Sequence, residues 1–159
     1  MKPPKKTNVE RILDAASIPY VPHTFDGREG RATAVEIANM LGIPPDAVFK
    51  TLVTVTEKRE SFVFVVPAPA TLDLKKAAKA AGVKSLDMLP LAKLFTLTGY
   101  RHGGCSPIGM RKTFPTFIDT SAESLDRIWI SAGQIGMNLE VSPTALAKLI
   151  PAPFVPLAR

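Results

Sequence analysis

The sequence predicts an α+β fold: a mixed, largely antiparallel sheet or partial β-barrel surrounded by helices. Two observations predict it. Short runs rich in β-branched residues occur in the middle and the second half of the chain, and amphipathic segments with capping residues stand between them. Helices and strands do not alternate strictly, which argues against a doubly wound parallel sheet. The 159 residues contain no internal repeat or linker, so a single domain over residues 1–159 is expected.

Capping residues mark the expected helix starts. Thr7 and Glu10, and again Thr33 and Glu36, have the spacing of a capping box, so one helix is predicted after each threonine. Gly42 is the expected end of the second helix, because glycine accepts the left-handed conformation found at helix C-termini. Further helices are predicted over residues 72–81, 86–95 and 143–150, and a short helical turn over residues 44–49.

β-branched and aromatic residues predict the strands. The clearest strand covers residues 50–56, and the charged segment 57–60 predicts a hairpin tip before a returning strand at 61–66. Residues 18–25 are interrupted by prolines and are therefore expected to form an edge strand. Additional strands are predicted over residues 98–104, 116–119, 127–131 and 137–141.

Charge and composition limit the function classes. The net charge of +6 permits an RNA partner without requiring one, since solvated surface charge explains it equally well. A single cysteine excludes an internal disulfide and favours a reducing cytosol. No apolar run is long enough for a transmembrane helix or a signal core, so no membrane association is expected. The positive residues are partly grouped: Lys2, Lys5 and Lys6; Lys75, Lys76 and Lys79; Arg101, Arg111 and Lys112.

The sequence lacks the motifs that several classes of enzyme require. There is no phosphate-binding loop, no dinucleotide fingerprint and no HExxH motif, and no cofactor is expected. The only histidines are His23 and His102, which with Cys105 lack metal-ligand spacing, so no metal site is predicted. Cys105 could act as a nucleophile paired with His102 or His23. If the stretch 102–105 is extended, however, the side chains of His102 and Cys105 point to opposite faces, which favours a packed, inert thiol.

Lys50 and two glycine-rich segments are the remaining candidates. Lys50 opens an apolar strand directly after a helical turn, where a lysine cannot easily reach solvent. It is either a strand-edge lysine paired with a carboxylate or a fixed donor facing a pocket. Residues 98–109 and 131–136 are rich in glycine, which lets the backbone approach a ligand closely and turn its N–H groups toward it.

Four motifs in order resemble one known family. They are FKTL at residues 49–52, LDLKKAA at 72–78, TGY with GGCSPIG within 98–109, and ISAG at 130–133. Together they resemble the YbaK-type aminoacyl-tRNA deacylases, relatives of the editing domain inserted in bacterial prolyl-tRNA synthetase. The likeness extends over nearly the whole chain, and it is greatest to the free-standing enzymes that hydrolyse Cys-tRNA(Pro).

The resemblance implies a mixed β-barrel with outer helices, no metal, and an essential lysine, which is Lys50 here. It implies that aminoacylated tRNA is the substrate and that prolyl-tRNA synthetase is a candidate partner. Phe25 lies where such enzymes tend to have a tyrosine, and Asn138 where they tend to have an aspartate. The other residues that resemble walls of the family's substrate pocket are Gly103, Gly104, Ser106, Pro107, Gly109, Ser131, Ala132 and Gly133.

Without a credible protein nucleophile, the expected mechanism is positioning and electrostatic stabilisation. Lys50 would orient the terminal adenosine, its phosphate or the ester carbonyl, and N–H groups of the glycine loops would stabilise the oxyanion. The attacking group would be the thiol of a cysteinyl substrate, or water. Two alternatives stay open: a deacylase for another small amino acid, such as alanine on tRNA(Pro), and a non-catalytic RNA-binding or regulatory module. The oligomeric state is not predicted.

Overall fold

Two β-sheets form the centre of the computed structural model, which describes residues 5–159. In this range, one sheet has three strands and the other has five. The strands are β1 (Tyr20–Thr24), β2 (Phe49–Val55), β3 (Ser61–Pro67), β4 (Asp87–Met88), β5 (Thr116–Asp119), β6 (Ile128–Gln134), β7 (Met137–Val141) and β8 (Phe154–Val155).

The strand order combines antiparallel and parallel pairs. The three-stranded sheet has the order β1-β7-β6 and is antiparallel throughout, with β1 at its edge as predicted. The larger sheet has the order β4-β2-β3-β5-β8, in which β3 pairs with β5 and β5 with β8 in parallel. The expected α+β class with a mixed sheet is confirmed. The two sheets do not close into a barrel.

Helices pack around these sheets. In the described chain they are α1 (Asn8–Ala15), α2 (Ala34–Leu41), α3 (Leu74–Ala81), α4 (Leu94–Thr98) and α5 (Pro143–Leu149). Both predicted capping boxes are confirmed, because the side chains of Thr7 and Thr33 each accept a hydrogen bond from the N–H of the glutamate three residues later. Gly42 ends α2 with φ of +69°, in the left-handed region that glycine favours.

The largest core joins side chains of the smaller sheet with side chains of the larger sheet and of the helices α1 and α5. Ile128 and Ile130 of β6 and Leu139 of β7 are fully buried there, together with Leu13 of α1 and Leu146 of α5. Alternation along β6 and β7 turns these apolar side chains to one face of the sheet and leaves polar ones on the other. That second face borders a large cavity through Ser131 and Asn138.

Two predicted elements are wrong, and two short strands, β4 and β8, are not predicted by the sequence. A helix over residues 86–95 does not form, because Asp87–Met88 pairs with the edge of β2 and Pro90 cannot donate to a helix passing through it. Residues 98–104 are not a strand: Gly99, with φ of +86°, ends α4, and the N–H of Gly104 donates to the oxygen of Arg101 in a turn. The other unpredicted strand, β8, is two residues long and pairs only with β5.

The residue before β2 connects the two sheets. Val48 forms a parallel bridge with Trp129 of β6, and its oxygen accepts a 2.7 Å hydrogen bond from the N–H of Ala68. This arrangement brings Lys50 close to the polar face of β6 and β7. Among residues 5–159, no helix has the length and apolar character needed to cross a membrane. Lys2, part of the predicted N-terminal basic group, lies outside the described residues.

Candidate active site

A cavity of about 450 Å³ opens where five parts of the chain meet. They are the N-terminus of α2, the first half of β2, the segment from β4 to α4, the loop 102–105 after α4, and the face of β6 and β7 that carries Ser131 and Asn138. Of the residues predicted from the sequence, Lys50, Gly103, Ser131 and Asn138 line this cavity. The structure therefore brings residues far apart in the sequence together around the predicted lysine.

Lys50 lies half-buried in the wall of the cavity. Its Nζ donates a hydrogen bond to the main-chain oxygen of Ala68 over 3.0 Å. No carboxylate in residues 5–159 lies within ion-pair distance of it, so the interpretation as a paired strand-edge lysine does not apply. Burial lowers the pKa of the ammonium from its usual value, because desolvation penalises the charged form. Lys50 is thus an oriented cation with N–H groups left to donate to a ligand.

Ser131 and Asn138 face the cavity from directly opposite positions on β6 and β7. Asn138 is only 5% exposed, and its side-chain amide lies in the cavity lining. The Ser131 hydroxyl accepts a 3.1 Å hydrogen bond from the N–H of Gly133, which fixes the turn that follows. Asn138 thus offers an amide donor and acceptor at the cavity wall.

Gly103 belongs to a loop that packs backbone against backbone. Its φ is +89°, and a Cβ added there would lie 2.7 Å from the Cα of Gly30. At Gly30, in turn, an added Cβ would lie 2.6 Å from the main-chain oxygen of His102. Only glycines allow this contact, which sets the loop against the cavity.

The other predicted pocket residues lie outside the cavity lining. Ser106 is fully buried and its hydroxyl accepts a hydrogen bond from the N–H of Ile108. Ala132 is packed in the main core, and Pro107 and Gly109 line a second hollow of about 220 Å³. A substrate contact by these residues remains a prediction, as it does for Phe25, Gly104 and Gly133, which are absent from the cavity lining.

Cys105 and His102 both line the cavity. The extended backbone that would place their side chains on opposite faces does not form, because residues 102 and 103 lie in a turn. Burial raises the pKa of the Cys105 thiol to about 12. The nucleophilic thiolate is therefore scarce at neutral pH. The structure gives Cys105 the character of a packed thiol.

Most of the apolar wall is not predicted by the sequence. Val35 from α2 faces the cavity, and so do three leucines from the segment between β4 and α4, Leu89, Leu91 and Leu94. The Oγ1 of Thr51, also in the lining, is buried without a hydrogen-bond partner among the described residues. The hydrophobic pattern of residues 89–94 indicates burial, but only the tertiary structure shows that these side chains line a cavity.

The chemistry available here is that of binding and electrostatic stabilisation. A mostly apolar wall suits a small, uncharged side chain, while Lys50 and Asn138 can bind polar oxygens beside it. In residues 5–159, no group of three or more His, Cys, Asp or Glu side chains is arranged to hold a metal ion.

Comparison with known proteins identifies the family. The sequence profile described as the aminoacyl-tRNA editing domain matches residues 28–149. A candidate Cys-tRNA(Pro)/Cys-tRNA(Cys) deacylase of Enterococcus faecalis, EbsC, is 43% identical over 153 residues, covering 96% of this chain and 93% of its own. The chain thus belongs to the aminoacyl-tRNA editing domain family, and the resemblance predicted from the sequence motifs is confirmed.

Solved structures share the fold. A candidate trans-editing enzyme for prolyl-tRNA synthetase superposes with a TM-score of 0.80 at 24% identity, over 98% of this chain and 99% of that one. A hypothetical protein, APE2540, superposes with a TM-score of 0.86 at 22% identity, over 95% and 99% of the two chains. At these identities the likeness concerns the fold alone.

Proposed function

We propose that this protein is a trans-editing hydrolase that cleaves the ester of mischarged tRNA, with Cys-tRNA(Pro) as its main substrate. The observation that carries the proposal is Lys50, an unpaired, partly desolvated cation in the wall of a largely apolar cavity. The editing family to which the chain belongs and the similarity to the Enterococcus relative support the same reaction.

The cavity supports catalysis by orientation of the ester. Lys50 would donate to the ester carbonyl, the ribose or the terminal phosphate, with its charge strengthened by the low dielectric around it. Main-chain N–H groups of the loop at Gly103 would stabilise the oxyanion, and the loss of one such donor typically costs ~100-fold or more in rate. Asn138 would bind the amino-acid part of the substrate.

The attacking group is supplied by the substrate in this proposal. The thiolate of the cysteinyl group attacks its own carbonyl carbon, the bond from that carbon to the ribose oxygen breaks, and the ribose oxygen takes up a proton. Water then opens the resulting thiolactone to free cysteine. Intramolecular attack carries a large proximity advantage, and it requires no nucleophile from the protein. That fits a cavity whose one thiol is held protonated.

Alanine on tRNA(Pro) is the alternative substrate. Phe25 and Asn138 depart from the tyrosine and aspartate expected at these places, and Asn138 lines the cavity. An amide in place of a carboxylate changes how the α-ammonium of the amino acid is bound. A prolyl-tRNA synthetase partner and a cytoplasmic location belong to the same proposal and follow from the editing role.

The test is hydrolysis of a panel of substrates by the full chain. Cys-, Ser-, Ala- and Pro-tRNA(Pro) are incubated with the protein and with Lys50→Met, which keeps the length of the side chain and removes the charge. Rapid loss of Cys-tRNA(Pro), with Pro-tRNA(Pro) intact and Lys50→Met nearly inactive, is expected. A non-catalytic RNA-binding module would bind all four and hydrolyse none.

A further inference from the structure

The segment from β4 to β5 carries a segregated positive charge. Residues 88–118 include four lysines and arginines, Lys93, Arg101, Arg111 and Lys112, and no aspartate or glutamate. The remainder of the chain mixes both signs. All four cations are exposed, so the surface that this segment contributes is basic and carries no carboxylate of its own.

Two of these cations share one aromatic ring. The guanidinium carbon of Arg101 lies 4.4 Å from the centre of the Phe95 ring, and that of Arg111 lies 4.8 Å from it. Phe95 is 41% exposed, so part of its ring is accessible at the surface. The ring holds both cations by cation–π attraction.

Further contacts fix the position of Arg111. Its Nη1 donates a 3.2 Å hydrogen bond to the main-chain oxygen of Thr96. Its side chain also lies across Gly99, where an added Cβ would be 3.1 Å from the Arg111 Nε. An arginine held in this way has given up much of its side-chain entropy before any partner binds, which favours tight binding.

Neither guanidinium has an anionic partner in the described part of the chain. Within residues 5–159, the side-chain ion pairs are Lys6–Asp14, His23–Glu140 and Arg28–Glu36, and none includes Arg101 or Arg111. Two like charges held close together repel each other, and a bound anion would relieve that repulsion. Planar guanidinium groups suit phosphate in particular, because they can donate two parallel N–H bonds.

This basic platform, made of Phe95, Arg101 and Arg111, borders the cavity. Leu94 and His102, the immediate neighbours of Phe95 and Arg101, both line it. A substrate whose ester lies beside Lys50 must extend its polynucleotide out of the cavity. We infer that the platform is a binding surface for the phosphate backbone of the tRNA acceptor arm, an inference that rests on the proposed function.

The experiment compares two pairs of charge removals. Arg101→Gln with Arg111→Gln removes the platform, and Lys75→Gln with Lys79→Gln removes the same charge from the exposed face of α3. The binding of deacylated tRNA, which carries no amino acid, is measured as a function of salt concentration. Hydrolysis of the mischarged tRNA is compared with that of the same amino acid esterified to adenosine alone. Circular dichroism and thermal unfolding establish that each variant is folded.

For the platform variant we expect tRNA affinity to fall about tenfold or more at low salt. The slope of log K against log salt should decrease by about two, one for each phosphate that is no longer bound by an arginine. The reduction in kcat/KM should be at least about tenfold larger on tRNA than on the adenosine ester, because only tRNA extends to the platform. Phe95→Leu, which keeps both charges, should show a smaller reduction in affinity.

Equal effects in the α3 control would overturn the inference, because they would indicate general charge attraction. Unchanged tRNA binding by the platform variant would also overturn it, because the two arginines would then not contact the tRNA. If the native protein hydrolyses no mischarged tRNA, the proposed function fails. The binding comparison with deacylated tRNA still decides whether this surface binds RNA.

Discussion

The ammonium of Lys50 is held by the main-chain oxygen of Ala68, 3.0 Å away, rather than by a carboxylate. A carbonyl orients the ammonium without neutralising it, so the positive charge remains available to a substrate. The Ala68 N–H in turn donates to Val48, two residues before the lysine, so both ends of this contact are fixed by β2 and β3. Burial of the ammonium opposes stability, and the proposed role of Lys50 in binding the substrate would account for it.

Lys50→Met should abolish most activity while the protein stays folded. We expect deacylation to fall by about two orders of magnitude or more, the scale of a missing electrostatic stabiliser. The free energy of unfolding should stay within about 1 kcal/mol of the native value, because removal of the hydrogen bond is offset by relief of desolvation. Denaturant unfolding and single-turnover hydrolysis measure the two effects. Lys79→Met, on an exposed face, is the control, and near-normal turnover by Lys50→Met would remove the lysine from the mechanism.

The lowered pKa of Lys50 predicts a pH effect with a definite sign. In the folded protein the ammonium loses its proton below the usual 10.5, so between the folded and the unfolded pKa the unfolded chain binds more protons. Stability should therefore rise with pH across that window through this residue, and Lys50→Met should lack the rise. Activity should fall over the same window, since the required charge is removed. Rates corrected for spontaneous ester hydrolysis test this, and an activity that keeps increasing would contradict a charged Lys50.

Cys105 should be chemically inert. With its pKa raised to about 12 from 9.0, the thiol should react with iodoacetamide at pH 8 about three orders of magnitude more slowly than an ordinary cysteine. Cys105→Ser should retain most activity, and mass spectrometry of a quenched reaction should show no acyl group on the protein. A thioester trapped on Cys105 would overturn the assignment of attack to the substrate. Denaturation supplies the control, because the unfolded thiol should react at the ordinary rate.

Alanine substitutions at Gly103 and at Gly82 form a matched pair. Both glycines have positive φ, +89° and +72°, so alanine is strained at either, at a cost of about 1 kcal/mol. At Gly82 no atom lies within 4 Å of the added Cβ, whereas at Gly103 it meets the Cα of Gly30 at 2.7 Å. Gly103→Ala should therefore lower the free energy of unfolding by at least about 1 kcal/mol more. It should also reduce deacylation, while Gly82→Ala should not. Equal effects would show that the Gly30 contact is dispensable.

Local signals in the sequence are sufficient to predict many elements, and they single out Lys50, which lines the cavity. The capping boxes at Thr7 and Thr33 depend on residues three apart, and both form. Lys50 stands out because a charge at the start of an apolar strand needs a reason. The prediction for residues 86–95 is wrong because their apolar pattern fits a helix, whereas the pairing of Asp87–Met88 with β2 is a long-range contact that no local pattern encodes.

The walls of the site are harder to predict for the same reason. Glycine content indicates the two segments that contain Gly103 and Ser131, and both residues line the cavity. It does not separate them from Gly109, which borders the second hollow, because composition does not say which side of a loop faces inward. Leu89 and Leu91 have the sequence pattern of ordinary core residues, and only the packing of their segment against β2 turns them toward the cavity.

The nature of the attacking group should decide which substrate is cleaved fastest. A cysteinyl ester carries a thiol that ionises near pH 8.5, so an appreciable minority is thiolate at neutral pH. Serine is almost the same size but a far weaker nucleophile, and alanine has none. The largely apolar cavity can separate such side chains only modestly by fit, since a methylene is worth ~1–3 kcal/mol. Cys-tRNA(Pro) should therefore be cleaved much faster than Ser-tRNA(Pro), with dissociation constants that differ little. Single-turnover reactions with product analysis should detect a thiolactone before free cysteine. Equal rates for the three esters, or alanine as the best substrate, would show that water or a ribose hydroxyl attacks, and Asn138→Asp would then test whether the amide at this position sets that preference.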